Sequence, residues 1–362
     1  MRILHLMNDV TDRGNGIVNV AVDVAIEQVR QGYTVAVAAD HGGYEELLKR
    51  HGVTYIPYLQ RTTNPFKLAV TVLGFPALVR RFQPDIVHAH MRSGALLAAL
   101  WRKQLGYGLV THLHNSDEDR STLMRVGQRI VFVSEASANA WEERGMPQEK
   151  VRVVLNRTLG SLRSTTDTSL TPAKLQHPAI LTVGGLIRRK GLKELIEAFD
   201  LIAEEFPAAQ LYIVGDGADR EEIKAQGAAS PHANRIHFEG FHPHPQVYFR
   251  SADIFVLASH RESFGLVVLE ARNEGCAIVA TSVDGIPEAL ERGKAGILVP
   301  PFDSASLANA LRTMLSSEET RRMWSARAKE GIEAFKIPRM IEELRTVYDE
   351  LLADNCAVQK QT

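Results

Sequence analysis

The amino-acid sequence predicts an α/β protein built from two domains, each with a parallel sheet. Three observations lead to this fold class. The chain has 362 residues, which is more than one hydrophobic core usually holds. Short apolar runs of strand length alternate with amphipathic helical patterns along almost the whole chain. Between residues 156 and 178, a segment rich in Ser, Thr and Pro interrupts this alternation and marks the expected domain boundary.

The first domain is expected to span residues 1–160. It opens with the strand RILHLM, the helical pattern VNVAVDVAIEQVRQG and the strand YTVAVAA. Five further strand-like runs follow, namely VTYI, DIVHAH, LVTHLH, IVFVS and VRVVLN. Neighbouring strands joined by helices run parallel, because a tight hairpin joins only antiparallel strands. One doubly wound sheet therefore accounts for this half of the chain.

The second domain is expected to span residues 175–337. Its strand-like runs are AILTVGG, QLYIVGDG, RIHFEGF, DIFVLAS, AIVATS and GILVP, again separated by helical patterns. In open parallel sheets, ligands bind beyond the carboxyl ends of the strands, where loops lead into helix N-termini. The candidate sites are therefore loops that follow strands, and two domains imply a cleft between them.

Composition excludes several classes of protein. The 42 Lys and Arg residues balance 43 Asp and Glu residues, so no overall field attracts nucleic acid. Only two cysteines, Cys276 and Cys356, are present, which indicates a reducing compartment and excludes a disulfide scaffold. The longest apolar run, residues 68–79, is too short to cross a bilayer, and the N-terminus lacks a leader pattern. We expect a cytoplasmic protein.

Two glycine-containing loops are candidates for binding a phosphate or a sugar. In NDVTDRGNG, Gly14 and Gly16 stand just before a predicted helix, although a plain tight turn explains this G-x-G equally well. In VGGLIRRKG, the cations Arg188, Arg189 and Lys190 precede another helix N-terminus. Three cations there are unfavourable unless an anion binds, so we favour a phosphate site over a solvated basic turn.

The stretch HRESFGLVVLE, residues 260–270, carries two acids within an apolar run. The pattern predicts Glu262 in a loop and Glu270 in the second turn of a buried helix that ends near Gly275. A buried carboxylate needs hydrogen-bond partners, which the hydroxyl groups of a ligand would supply. The alternatives are an exposed helix-face acid for Glu270 and an acid favoured by the helix dipole for Glu262.

Two histidine pairs at strand spacing, His88 with His90 and His112 with His114, suggest a zinc site. No carboxylate or further histidine follows at the spacing of a hydrolytic site. We therefore predict packed core histidines with one cleft-facing member, His114. The D-x-D at residues 117–119 could hold a divalent metal, but helix capping by Ser116 or Asp117 is favoured.

Taken together, these segments resemble retaining glycosyltransferases of family 4, which have the GT-B fold. The most specific part is ESFGLVVLEARNEGCAIVATSVDGIPEAL, residues 262–290, which matches the family's E-x7-E signature. Weaker matches occur in the family's order, at the loop with Gly14 and Gly16, PDIVHAH, VTHLHN, FVSEAS, VRVVLN and VGDG. The resemblance covers nearly the whole chain.

The resemblance implies a set of site residues. The catalytic residues would be Glu262 beside the donor sugar, His114 near the reacting carbon, and Lys190 with Arg189 on the diphosphate. Arg188 is the alternative to Arg189, because Gly185 stands where the family has an arginine. The remaining donor-binding residues would be Gly14, Gly16, Gly185, Gly215, Phe264, Gly265, Leu266, Glu270 on the ribose, and Phe241 with His242 beside the base.

The resemblance also implies retaining, metal-independent transfer from a nucleotide-diphosphate sugar to a hydroxyl acceptor, in polysaccharide, glycolipid or other glycoconjugate synthesis. No cofactor is expected, and a UDP-sugar is favoured by the family alone. Residues 1–160, completed by a returning helix at 338–362, would serve the acceptor, and residues 175–337 the donor. The alternatives are a nucleotide-sugar epimerase, a zinc hydrolase and a non-catalytic binder.

Residues 59–82 mix basic and aromatic side chains, namely Arg61, Lys67, Arg80 and Arg81 with Phe66, Phe75 and Phe82. One interpretation is peripheral contact with the inner face of the cytoplasmic membrane or with a lipid-linked acceptor. The favoured alternative is a packed amphipathic helix with a basic outer face.

Overall fold

The computed structural model describes residues 1–12, 14–114, 119–163 and 170–359. The chain divides into two compact units. The predicted domains are 1–160 with 338–362, and 175–337. Unit 1 comprises residues 1–165 and 335–362, and unit 2 comprises residues 166–334. Each contains a parallel sheet flanked by helices, so the predicted α/β class is confirmed. Ser116, Asp117 and the side chain of Asp119 lie outside the described residues.

Unit 1 is built on a parallel sheet. Its strands are β1 (Arg2–Asp9), β2 (Thr34–Asp40), β3 (Thr54–Pro57), β4 (Ile86–Ala89), β5 (Gly108–Leu113), β6 (Arg129–Phe132) and β7 (Val151–Val153). Its first helices are α1 (Gly16–Arg30), α2 (Glu45–Arg50), α3 (Pro65–Phe82), α4 (Arg92–Leu105) and α5 (Glu135–Glu142). Among the described residues the strand order is β3-β2-β1-β4-β5-β6-β7, which places the first strand beside the fourth.

Unit 2 repeats this construction. Its strands are β8 (Ala179–Val183), β9 (Gln210–Val214), β10 (Ile236–Gly240), β11 (Ile254–Leu257), β12 (Ala277–Thr281) and β13 (Ile297–Val299). Its helices are α6 (Leu192–Asp200), α7 (Arg220–Ala229), α8 (Gln246–Phe249), α9 (Leu266–Glu274), α10 (Ile286–Ala289), α11 (Ser304–Leu315) and α12 (Glu318–Lys329). Over the described part of the unit the order is β10-β9-β8-β11-β12-β13, so the loops after β8 and β11 are neighbours.

The last helix, α13 (Ile337–Gln359), belongs to unit 1. Pro338 stands in its first turn, where a missing N–H removes no intrahelical bond. The buried ring of Tyr348 packs into the unit. Ion pairs tie the helix to the rest of unit 1, among them Arg129 with Asp354, Arg152 with Glu350, and Arg157 with Glu343. No described helix is both long enough and apolar enough to cross a bilayer.

Candidate active site

In unit 2 the loop after β8 lies directly against the loop after β11. Gly191 has a φ of +65°, and a Cβ built there would lie 1.9 Å from the carbonyl oxygen of Ala258. The amide of His260 donates a hydrogen bond of 2.8 Å to the carbonyl of Arg189. Only glycine allows both this conformation and this approach. The sequence VGGLIRRKG is therefore held against HRESFG by backbone contact.

Gly191→Ala is expected to destabilise unit 2 by about 2 to 3 kcal/mol, because the new methyl group strains the backbone and collides with a carbonyl. Gly240→Ala is the matched control, since Gly240 has a φ of +74° with nothing within 4 Å of an added Cβ. It should cost only about 1 kcal/mol. Urea unfolding monitored by circular dichroism measures both. Equal losses in the two variants would contradict the close loop contact.

The contact between the two loops brings Lys190 and Glu262 together. The Nζ of Lys190 forms an ion pair with the Oε2 of Glu262, and both side chains are only about one-sixth exposed. The amide of Glu262 donates to the Oδ2 of Asp284 at 2.8 Å, and its carbonyl accepts from Gly285 at 3.2 Å. Glu262 is thus fixed on both sides of its peptide, and its carboxylate orients the lysine ammonium.

The three consecutive cations separate in space. Arg188 turns outward and pairs with Glu222 of α7, with its Nη2 2.9 Å from the carboxylate. Arg189 instead donates from Nη1 to the carbonyl of Arg261 at 3.0 Å, beside Glu262. Lys190 lines a small pocket with Gly184 and Gly185 at the ends of β8, β9 and β11. Of these three cations, Lys190 is the one among the residues that line this pocket.

A third loop completes the glycine-lined surface of unit 2. Gly215, which follows β9, has a φ of +143°, and a Cβ there would lie 1.9 Å from the carbonyl oxygen of Gly184. The amide of Leu186 donates to the carbonyl of Asp216 at 3.0 Å. Phe241 and His242 follow β10, two strands from β8. The ring of Phe241 is 53% exposed, and that of His242 packs edge-on to Tyr248.

Helix α9 begins where the E-x7-E spacing predicts. Gly265, with a φ of +91°, is its N-cap, Leu266 is its first residue, and Gly275 ends it. Phe264 is buried just before the helix. Glu270 lies in the second turn as predicted, but it is only partly buried, so the prediction of a buried carboxylate was wrong. The reason is orientation, because the helix buries Val268, Leu269, Ala271 and Arg272, and Glu270 lies toward the other face.

In unit 1, Gly14 and Gly16 mark the start of α1. Gly14 has a φ of +70°, and Gly16 is the first helical residue. The side chain of Asn15 caps the helix by accepting from the amide of Ile17 at 3.1 Å. This is the tight turn into a helix that the sequence indicates.

A row of imidazoles crosses unit 1, and His114 stands at one end of it. We define the histidine row as His5 of β1, His88 and His90 at the end of β4, and His112 and His114 at the end of β5. All five side chains are buried. Burial lowers the pKa of His5 to about 4 and that of His114 to about 3, and the other three pKa values fall well below 6.5. The row is therefore neutral near pH 7.

Hydrogen bonds determine which ring nitrogens carry the protons in part of the histidine row. The Oε1 of Gln28 lies 2.7 Å from Nε2 of His5, which must therefore carry a proton. Nδ1 of His5 then accepts from Nε2 of His90 at 2.9 Å, and Nδ1 of His90 accepts from Nε2 of His114 at 3.0 Å. This orientation leaves the Nδ1 of His114 as an unprotonated acceptor.

Neutral imidazoles could also hold a metal ion, and two sets of three lie close enough. The nitrogens of His5, His88 and His90, and those of His90, His112 and His114, lie within 4.8 Å of one another. A metal ion is bound by ring lone pairs, which lie in the plane of each ring. The rings of His112 and His114, however, stack at a centroid distance of 4.1 Å and an angle of 21°. One ion cannot lie in both planes, so the present geometry favours hydrogen bonding over coordination.

Several solved structures share the fold of this chain. HepE from Anabaena in complex with UDP superposes with a TM-score of 0.79 at 22% identity, covering 97% of this chain and all of that one. A glycosyltransferase from Rickettsia africae gives a TM-score of 0.81 at 19% identity, covering 97% and 98%. These neighbours establish the GT-B fold predicted from the sequence.

Two family models together match most of the chain. The model described as Glycosyltransferase Family 4 matches residues 14–156, and Glycosyl transferases group 1 matches residues 169–331. The chain is a GT-B glycosyltransferase of the family 4-like group. It is similar to the N-acetyl-alpha-D-glucosaminyl L-malate synthase of Bacillus anthracis, at 27% identity over 84% of each chain. It is also 27% identical to a D-inositol 3-phosphate glycosyltransferase of Corynebacterium efficiens, over 94% of this chain and 82% of that one.

Sequence reasoning missed three residues around the predicted site of this glycosyltransferase. His5 was overlooked, although the strand order of a doubly wound sheet places β1 beside β4 and pairs His5 with His88. Gln28 and Asp284, which orient His5 and Glu262, carried no signal because a single amide or acid does not indicate its partner. Such contacts depend on packing between elements far apart in the chain.

Proposed function

We propose that this glycosyltransferase moves a sugar from a UDP-sugar to a hydroxyl acceptor, with retention of the anomeric configuration and without a metal ion. The observation that carries the proposal is the pairing with Glu262 of Lys190, which lines a small pocket together with Gly184 and Gly185. A diphosphate is suited by a cation, by glycine backbone that a ligand can approach closely, and by the N-terminus of α9, whose free N–H groups attract an anion. UDP is favoured because the structural neighbour HepE is described in complexes with UDP and with UDP-glucose.

The proposed chemistry requires stabilisation of a leaving group. As the bond between the sugar carbon and the diphosphate oxygen breaks, negative charge develops on the phosphate. In the proposed mechanism Lys190 and Arg189 stabilise that charge, and groups held in place before the reaction begins are the usual origin of such rate enhancement. The acceptor oxygen forms the new bond to the sugar carbon, and its proton passes to the departing phosphate. No step of this sequence requires a metal ion, since the cations provide the compensating charge.

The remaining assignments follow the family resemblance. Glu262 would lie beside the donor sugar, and the backbone of Phe264, Gly265 and Leu266 would contact sugar and phosphate. Glu270 would bind the ribose, which suits a carboxylate that is partly exposed on α9. The exposed ring of Phe241 would flank the base. His114, with Nδ1 as an acceptor, would receive a hydrogen bond from a hydroxyl group.

The acceptor is proposed to be a polar molecule with a free hydroxyl group. The similar proteins are named for transfer to L-malate and to inositol phosphate, which are small hydroxylated acids. Glycoconjugate synthesis in the cytoplasm is the setting we propose. The two cysteines, Cys276 and Cys356, are both free thiols, which suits a reducing compartment.

Incubation with UDP-glucose, UDP-N-acetylglucosamine and GDP-mannose, with and without EDTA, tests this proposal. We expect release of UDP from one UDP-sugar, unaffected by EDTA, with L-malate or inositol phosphate as trial acceptors. Proton NMR of the product should give the anomeric configuration of the donor. An epimerised donor in the absence of acceptor would instead identify an epimerase. Inversion of configuration, or loss of activity in EDTA, would contradict the mechanism.

A further inference from the structure

Helix α3 exposes apolar side chains over its first half. Phe66, Val70 and Leu73 are 77%, 59% and 72% exposed. These positions are i, i+4 and i+7, so they form one stripe along the helix. Leu68, at 45%, is exposed as well. The second half of α3 is anchored instead, since Phe75, Pro76, Val79 and Phe82 are buried.

Helix α4 extends this surface. Its Trp101 donates a hydrogen bond of 3.0 Å from Nε1 to the carbonyl of Val72, which ties α4 to α3. Leu96 and Leu100, one turn apart on α4, are 41% and 60% exposed. We call the stripe on α3 and the exposed leucines of α4 the apolar ridge, comprising Phe66, Val70, Leu73, Leu96 and Leu100. It holds five of the twelve large exposed hydrophobic residues in the described part of the chain. Such clustering marks an interaction surface.

Charge around the ridge is strongly one-sided. Residues 58–109 contain seven basic residues and a single acid, Asp85, although the whole chain has a net charge of −1. The basic residues are Arg61, Lys67, Arg80, Arg81, Arg92, Arg102 and Lys103. Five of them, Arg61, Lys67, Arg80, Arg81 and Lys103, are exposed. An apolar stripe flanked by cations and free of acids is complementary to an anionic lipid surface.

We propose that the apolar ridge binds the surface of an anionic lipid bilayer, with α3 lying in the plane of the interface. A second copy of this chain fits less well, because the same ridge on two molecules would bring two strongly positive segments together. The inference goes beyond the proposed function, since it concerns where the enzyme works and requires no particular donor. The predicted packed helix with a basic outer face describes the second half of α3, where Phe75 and Phe82 are buried and Arg80 and Arg81 are exposed. The first half departs from that prediction, because its outer face carries Phe66, Val70 and Leu73.

Flotation with lipid vesicles tests the surface directly. Vesicles of phosphatidylglycerol and phosphatidylcholine should bind the full chain, and pure phosphatidylcholine should bind it at least about tenfold more weakly. The double variant Phe66→Ser/Leu73→Ser should lower partitioning to anionic vesicles by about tenfold or more. The double variant Lys67→Glu/Arg81→Glu should also lower partitioning to anionic vesicles, and it should make that partitioning depend less on salt concentration. All four side chains are exposed, so the fold should be retained, which thermal unfolding checks.

Leu201→Ser is the matched control, because Leu201 is 52% exposed in unit 2. It should leave vesicle binding unchanged. Binding that α3 substitutions do not alter would overturn the proposal, and so would equal binding to neutral and anionic vesicles. Dimers in sedimentation velocity that dissociate in Phe66→Ser/Leu73→Ser would instead identify a second copy as the occupant. Donor turnover measured without lipid reports on the proposed function separately, since unit 2 is unchanged in the α3 variants.

Discussion

Lys190→Met is expected to lower kcat/KM for the sugar donor by about 100-fold or more, which is the usual effect of losing a fixed group that stabilises transition-state charge. Methionine keeps much of the length and apolar stem of lysine but removes the ammonium. Because charge develops on the leaving diphosphate only as the bond breaks, kcat should fall more than the affinity for UDP. Steady-state release of UDP, with isothermal titration of UDP, separates the two effects.

Arg188→Met is the matched control for this experiment. Arg188 belongs to the same short turn, but it is 78% exposed and paired with Glu222. Its loss should change kcat/KM by no more than about twofold, as expected for a surface ion pair. Arg189→Met should have an intermediate effect. Equal losses of activity in the Arg188 and Lys190 variants would mean that the cations of this turn act together through their summed charge. The specific role proposed for Lys190 would then be wrong.

Acidification from pH 7.5 to pH 5.5 is expected to destabilise unit 1 by several kcal/mol. The histidines of the row have an unfolded pKa near 6.5, whereas the folded pKa of His5 is about 4 and that of His114 about 3. Between these values the unfolded chain binds protons that the folded chain does not, so stability falls as the pH falls. At pH 5.5 each histidine that stays neutral in the folded chain contributes about 1 kcal/mol, and all five act in the same direction. Buried Asp23, whose pKa is raised, acts in the opposite direction.

Thermal unfolding at a series of pH values measures this effect. His112→Leu is an informative variant, because neither ring nitrogen of His112 has a hydrogen-bond partner among the described residues. It removes one titrating group and should flatten the dependence on pH by about one-fifth below pH 6.5. Its stability at pH 7.5 should change little, since no hydrogen bond is lost. A melting temperature that stays constant from pH 7.5 to pH 5.5 would show that the row takes up protons without unfolding.

The elements that sequence reasoning predicted well are those whose signal is local. The alternation of strand and helix patterns fixed both sheets, and Gly265 and Gly275 bounded α9 because each adopts a left-handed conformation. The burial of Glu270 was predicted less well. An apolar sequence indicates that a helix is packed, but the side that faces solvent depends on neighbouring helices.

Contacts between distant loops could not be predicted. Arg188 and Arg189 are adjacent and chemically identical, and only the positions of Glu222 and the Arg261 carbonyl distinguish them. The exposure of the apolar ridge could not be predicted either. Periodicity in residues 65–82 predicted a packed amphipathic helix, but it cannot tell whether the protein itself supplies a covering layer for each apolar face.

The return of α13 to unit 1 sets the order in which the protein can be completed during synthesis. Unit 2 is continuous from residue 166 to residue 334 and can fold once that stretch has left the ribosome. Unit 1 is complete only when Tyr348 has been synthesised, because its hydroxyl donates to Nδ1 of His88 and accepts from the side-chain Nε2 of Gln28. Domains are generally finished in the order in which they emerge. In this protein the unit that begins translation is the last to be completed, because a shorter nascent chain lacks the helix that packs on α1 and β5.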